Sequence, residues 1–291
     1  MDVIEEFPTG GAGAGPYGLA TGQDGSVWCT HVHHGSVAKV TPVGDQSYVV
    51  APGGRPMVVT AGPDDAMWCT LNQGNALARI SAAGEVSTYP LPTQDSGPYG
   101  ITSGPDGALW FTEMNTNRIG RLALDGEITE FPVPIDGAFP AMIVADAEVL
   151  WCTLNQANAL ARITVTGEIT TYPLPTPAAA PVGITVAADG AVWFVEIGAG
   201  QLGRRTPDGE ITEFPLPDRD ARPHAIAAAP NGDLWFTEWA ANRVGRVTPD
   251  GEITTIPLPR PESEPHGITV VPDGTVWVAL EIGALARIIP G

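Results

Sequence analysis

Apolar residues along this chain come in short runs, each closed by turn-forming residues, and the runs recur at a fixed interval. Seven tryptophans, Trp28, Trp68, Trp110, Trp151, Trp193, Trp235 and Trp277, stand 40, 42, 41, 42, 42 and 42 residues apart, and Trp239 is off register. Seven prolines keep step with them: Pro16, Pro56, Pro98, Pro140, Pro181, Pro223 and Pro265. A regular interval of this size marks a repeat architecture, so the repeat is read before any local structure.

Residues 98–134, PYGITSGPDGALWFTEMNTNRIGRLALDGEITEFPVP, form a typical unit. The pattern predicts four short antiparallel strands: A over Ile101 to Ser103, B over Leu109 to Thr112, C over Arg118 to Leu122 and D over Glu127 to Phe131. Asp106-Gly107 and Asp125-Gly126 supply the positive φ of tight turns, and a proline ends the unit because it cannot donate to a continuing ladder. A four-stranded unit of roughly 40 residues, repeated in this way, implies an all-β fold, a seven-bladed β-propeller of antiparallel blades. The expected organisation is one domain over residues 1–291. The last repeat stops after its strand C, while Asp2 to Pro8, DVIEEFP, resembles the EITEFP of strand D; the N-terminal strand is therefore expected to close the last blade.

Composition narrows the partners. With 33 Asp and Glu against 14 Lys and Arg, the surface repels phosphate backbones and anionic lipid, so neither nucleic acid nor membrane is an expected partner. No basic leader precedes an apolar run and no apolar stretch reaches the ~18 residues of a membrane span, which gives the expectation of a soluble, cytoplasmic protein; a monomer is expected. Cys29, Cys69 and Cys152 each follow a repeat tryptophan, where other units carry Phe111, Phe194, Phe236 and Val278. They read as small buried apolar residues in equivalent places, too far apart for disulfides.

In a propeller strand A is innermost, and its start lies beside the end of strand B. The residue after each proline therefore points at the mouth of the central channel. Around the ring these residues are Tyr17, Met57, Tyr99, Ala141, Val182, His224 and His266, preceded by Gly15, Arg55, Gly97, Phe139, Ala180, Arg222 and Glu264; the ends of strand B add His31, Glu113, Glu196, Glu238 and Glu281. Ionisable groups thus concentrate in blades six, seven and one, which are neighbours in a closed ring. Glu113, Glu196 and Glu238 share one register and read as structural, holding hydrogen bonds between blades. Lys39, Arg79, Arg121, Arg162, Arg204, Arg246 and Arg287 occur once per unit on strand C and are structural on the same argument. His33 and His34 fall in a polar loop with no identifiable partner. Glu281 differs, because blade seven is one residue shorter between its tryptophan and strand C.

On chemistry alone His266 fits two descriptions, a satisfied histidine at the channel mouth or a base. Two carboxylates on one rim can hold a hard cation such as Mg²⁺, leaving positions for a substrate carbonyl. A neutral imidazole beside them can take a proton from the adjacent carbon.

The segments GPYG at 15–18, ARPHAI at 221–226, LWFTEWAANRVGR at 234–246 and EPHGI at 264–268 resemble the virginiamycin B lyase family, and the resemblance runs along the whole chain. It implies an enzyme that linearises cyclic depsipeptide antibiotics of the type B streptogramins by Mg²⁺-dependent elimination across the threonyl ester. It further implies His266 as general base, Glu264 and Glu281 as metal ligands, and His224 and Tyr17 as substrate-binding residues. The histidine-rich first repeat, and the loss of the turn glycine and the phenylalanine in blades two and four, are departures that bear on the substrate. Two other readings remain at this point: a propeller that binds a ligand or protein without reaction, and a metal-dependent lactone or ester hydrolase.

Overall fold

The computed structural model describes residues 3–41, 44–51 and 53–291. They form seven sheets of four antiparallel strands, arranged in a ring as a β-propeller. Blade three shows the pattern: strand A is Pro98–Ser103, B is Leu109–Glu113, C is Arg118–Leu122 and D is Ile128–Pro132. Strand C matches the expected bounds. Strand A begins three residues earlier, at the proline, and strand D lies one residue later, so that Pro132 still pairs with Arg118 as its last member. Among the described residues the only helix is a single 3₁₀ turn, Trp239–Ala241, and no helix is long and apolar enough to cross a membrane.

Strand A starts early because every copy carries a bulge. In blade seven Pro265 pairs with Leu280 and Ile268 with Val278, which leaves one extra residue on strand A. The same slip occurs in each of the other blades. A bulge re-aims side chains, and here it turns the residue after the proline toward the channel. The innermost strands pack against one another in sequence around the ring, blade seven against blade one included. They approach so closely that a Cβ on Gly267 would lie 2.2 Å from the Tyr17 carbonyl oxygen.

Threonines stitch neighbouring blades together. Thr30, Thr70, Thr112, Thr153 and Thr237 stand two residues past their tryptophans, and each hydroxyl donates to a strand A carbonyl of the next blade: Met57, Tyr99, Ala141, Val182 and His266. The same oxygens accept from strand A amides of their own blades, those of Gly18, Val58, Gly100, Met142 and Ala225. Replacing one by valine would strand two buried backbone groups, at a cost of about 1–3 kcal/mol each.

The apolar core is divided into layers between blades. Trp110 and Ile119 of blade three pack with Ile143 and Cys152 of blade four, and Trp277 of blade seven packs with Val27 and Cys29 of blade one. Within each blade, strand B and strand C trade volume. Phe111, Phe194 and Phe236 pair with Gly120, Gly203 and Gly245, whereas Cys29, Cys69, Cys152 and Val278 pair with Ala38, Ala78, Ala161 and Ala286. The loss of phenylalanine in blades two and four is therefore compensated one strand away and leaves the ring unchanged. All three cysteines are buried and free, as small apolar residues would be.

Among the described residues, six of the seven strand C cations, all but Arg162, are tied into ion pairs. Lys39, Arg79, Arg121, Arg204 and Arg246 bind the turn aspartates Asp24, Asp64, Asp106, Asp189 and Asp233 of their own blades, while Arg287 binds Glu5 of the closing strand. The strand B glutamates differ from expectation. Glu113, Glu196 and Glu238 are fully buried and bond inside their own hairpins, to Thr116, Gln201 and Arg243, whereas bonds between blades are made by the threonines and by other residues such as Ser103, Asn72 and Glu130. Burial raises the carboxyl pKa of Glu113 and Glu196 to about 7 in each case.

The N-terminal strand, Val3–Pro8, pairs antiparallel with Ala284–Ile289 and completes blade seven as its strand D. Asp2, the first residue of the expected strand, lies outside the described residues. Phe7 sets its ring 5.4 Å from that of Trp277, and Glu6 pairs with Arg260.

Deleting residues 1–8 is expected to cost roughly 2–4 kcal/mol in lost burial and edge pairing. That corresponds to an unfolding midpoint lowered by about 5–10 °C, with faster amide exchange along Ala284–Ile289; an unchanged midpoint would show that closure does not depend on this strand. A second expectation concerns pH. Glu113 and Glu196 hold their protons more tightly folded than unfolded, so their contribution is present below the unfolded carboxyl pKa and is lost as pH rises through about 7. Compared with a Glu113→Gln, Glu196→Gln double variant, the wild type should lose stability between pH 5 and 7.5 in thermal melts; parallel melting curves across that range would contradict the assignment.

Candidate active site

The site is assembled where blades six, seven and one meet at the channel mouth. The bulge in blade seven places His266 directly after Pro265, and the Pro265–Leu280 pair sets the start of strand A beside the turn that carries Glu281. The Glu281 amide donates to the Glu264 carbonyl at 3.3 Å, so the main chain fastens the two carboxylate residues to each other. Glu264 sits at φ 47°, in the left-handed region that is uncommon for a residue with a side chain. Thr237 of blade six, through its bond to the His266 carbonyl, fixes the histidine from the other side.

His266 Nε2 lies 2.5 Å from Glu281 Oε2. A carboxylate oxygen only accepts, so Nε2–H donates. His266 Nδ1 is buried and without a partner. Glu264, His266 and Glu281 each offer one ligand atom, and these atoms lie within 4.8 Å of one another. Partial burial raises the pKa of Glu281, but the hydrogen bonds from His266 and His33 outweigh it and hold the carboxylate below its usual range. Glu281 is an anion at neutral pH.

Behind this acidic pair stands a neutral wall. The Tyr17 ring lies 4.7 Å from the His266 ring and 5.7 Å from His224, and the two imidazoles are 5.1 Å apart, nearly perpendicular. Tyr17 Oη is 3.3 Å from His224 Nε2 and 2.6 Å from Tyr99 Oη. Burial, and after it the nearby His266, lowers the His224 pKa to about 3, while burial and Tyr99 push the Tyr17 hydroxyl well above its ordinary value. Both groups are uncharged at neutral pH. Tyr17, Tyr99 and His224 line one part of a channel cavity of about 80 Å³ whose remaining wall includes the apolar side chains of Val58, Met142, Val182, Ile184, Ile226 and Ile268.

The structure therefore brings together Glu264, His266, Glu281, His224 and Tyr17, the residues singled out from sequence. It separates the other strand B ends from them. His31 is fully buried and bonded to Thr9 and Ser36, in the register of Glu113, Glu196 and Glu238, whereas Glu281 stands one position further on, in the turn itself. His33 and His34 do have partners, contrary to expectation: Glu281 Oε1 at 3.3 Å and the Gly10 carbonyl at 3.0 Å. Three neighbours were not anticipated as part of the site: Tyr99, His33 and Trp239. The Trp239 ring stacks at 6.4 Å from His266, and its indole N–H is buried without a partner. Trp239 and His33 lie in B–C turns just past the strand ends, so extending the rim argument by one or two residues would have found them.

Orphaned buried polar atoms at His224, His266 and Trp239 mark a place built for something besides folding. Two carboxylates and an imidazole on one rim, above a neutral aromatic wall, can bind a hard cation and move a proton.

Comparison with known proteins agrees with this geometry. A model of the virginiamycin B lyase family matches residues 2–288. A solved streptogramin B lyase structure superimposes with a TM-score of 0.96 at 43% identity, covering 99% of this chain and 97% of that one. A catalytically inactive histidine-to-alanine variant of the virginiamycin B lyase from Staphylococcus aureus, solved with quinupristin, superimposes with a TM-score of 0.95 at 42% identity and full coverage of both chains. The curated virginiamycin B lyase of Mycolicibacterium smegmatis aligns at 47% identity over 49 residues, which is 16% of this chain and 17% of that protein's length. With the family match spanning nearly every residue and the fold shared from end to end, the chain belongs to the virginiamycin B lyase family.

Proposed function

We propose that this protein inactivates type B streptogramins by linearising the cyclic depsipeptide, with His266 as general base. One observation carries the reading: His266 Nε2 faces Glu281, with Glu264 alongside, at the mouth of the channel. The family and the relative solved with quinupristin support the substrate class.

His266 can reach a substrate only through Nε2, since Nδ1 is buried. In the proposed reaction Nε2 takes the proton from the α carbon of the threonyl residue. The electron pair left behind forms the Cα–Cβ double bond, the Cβ–O bond of the ester breaks, and the ester carboxylate departs. No water enters, and the product keeps the mass of the substrate.

The donor set fits a hard divalent cation, because the two carboxylates offer oxygen ligands within one ion's reach of each other. Glu264 and Glu281 would hold Mg²⁺, which supplies Lewis-acid stabilisation of the carbonyl oxygens beside the scissile bond. Glu281 cannot serve a cation and Nε2 fully at once; with Glu281 committed to the cation, loss of the Nε2 proton and uptake of one at Nδ1 would leave Nε2 unprotonated as the base. His224 and Tyr17, both neutral, would orient the substrate by hydrogen bonds without trading protons with solvent.

Mass spectrometry of a type B streptogramin incubated with the protein and Mg²⁺ is expected to show a linear product of unchanged mass. Chelation should abolish it. A product heavier by one water would identify a hydrolase, and an untouched antibiotic a binding propeller. His266→Ala is expected to lower turnover by about 10²–10⁴-fold, the usual range for a lost general base, with an unchanged melting curve; residual activity within tenfold of wild type would remove His266 from the role.

A further inference from the structure

The geometry points to His33 as a positioning residue for the Glu281 carboxylate, one that holds it in place for a divalent cation while His266 is released. This rests on the proposed reading of Glu264 and Glu281 as cation ligands.

The two oxygens of Glu281 have separate partners from separate blades: Oε2 meets His266 of its own blade, and Oε1 meets His33 Nε2 at 3.3 Å from blade one. If His266 were the carboxylate's sole anchor, freeing Nε2 for proton transfer would let Glu281 swing. The second anchor keeps its direction.

The loop carrying His33 is built to present it. Its backbone is tied down by the Val32 amide on the Gly15 carbonyl and the His33 amide on the Ala14 carbonyl, at 3.0 and 3.1 Å. His34 Nδ1 holds the Gly10 carbonyl on one side of the loop, and His31 is bonded beneath it. The imidazole itself occupies room that a missing side chain provides. Gly15 is the residue before the strand A proline, the place that Glu264 fills in blade seven, and it sits at φ +64°. A Cβ there would fall 2.4 Å from His33 Cδ2 and 2.9 Å from Nε2. Blade one therefore gives up a side chain at the rim, and the ring of His33 fills that space and reaches across the seam to blade seven.

The segment between the closing strand and blade one holds the seam at a fixed spacing. The Thr9 amide donates to the Gly283 carbonyl, two residues past Glu281, at 2.9 Å, and Thr9 Oγ1 lies 3.2 Å from His31 Nε2. The turn bearing Glu281 and the turn bearing His33 are thus fixed to one strap.

The test is binding of Mn²⁺ alone, without substrate, followed by electron paramagnetic resonance of the free ion. Partners of metal ligands typically contribute 10–100-fold to affinity, so His33→Ala is expected to weaken Mn²⁺ binding about tenfold. His33→Gln, which keeps a donor at a similar reach, should stay within about threefold of wild type. Gly15→Ala should weaken binding as His33→Ala does, because it displaces the ring without altering it. Turnover by His33→Ala should need correspondingly more Mn²⁺ for half-activation yet reach a kcat within about threefold of wild type. Glu264→Gln separates the two claims. If it abolishes Mn²⁺ binding while His33→Ala binds within twofold of wild type, His33 has no such role. If Glu264→Gln binds as wild type does, the carboxylate pair is not the cation site, and the role of His33 falls with it.

Discussion

The close approach of the innermost strands is the constraint on which the rest of the molecule depends. Seven strands crowd around a narrow channel, and each accommodates its neighbour by a one-residue bulge after its proline. The bulge does two jobs with one extra residue. It lets the backbone turn away before colliding with the next carbonyl, and it directs one side chain per blade onto the rim. Rim chemistry is therefore decoupled from the packing layers: the position can change from Val182 to His224 to His266 while the tryptophan layers stay alike. Folding and function draw on different residues of the same repeat.

The site combines two electrostatic environments that a less divided surface would blur. His224 and Tyr17, facing the channel, are kept neutral by desolvation. Glu281, at the opening, is kept charged by the hydrogen bonds it accepts. A few ångströms separate a wall that excludes ions from a rim that attracts cations, and His266 touches both, against the Tyr17 ring on one side and the carboxylate on the other. A proton acceptor placed at such a boundary is shielded on its buried nitrogen and addressable on the outer one.

The repeat makes the fold legible in the sequence: the interval between tryptophans, the turn dipeptides and the resemblance of the first residues to a strand D together imply the ring and its closure. What the repeat did not carry was the bulge, because an extra residue inside a strand leaves the interval between units unchanged. Strand A was therefore read as starting late. The site was legible at His224 and His266, the two imidazoles in a register of tyrosines and apolar residues, and at Glu264, the one acid before a strand A proline. Glu281 was recognisable from a length change. His33 and Trp239 were obscured because turn residues have no register to depart from, and their roles depend on what lies across a blade boundary, which periodicity within one chain segment does not encode. The glutamates of strand B read as structural, yet the bonds that join neighbouring innermost strands beside them come from threonine, whose hydroxyl can accept from one strand and donate to the next in a way a carboxylate cannot.

Closure of the ring through Val3–Pro8 has a temporal side. Tyr17 leaves the ribosome 249 residues ahead of His266, an interval of roughly 10–50 s at ordinary rates of synthesis. During that time the emerging chain can build blades one to six, with His224 already on its rim, but it holds neither member of the carboxylate pair and has an open edge where the seam will form. Until the last repeat emerges, a newly made copy therefore lacks Glu264, His266 and Glu281 together, and Tyr17 waits on the far side of a seam whose second face does not yet exist.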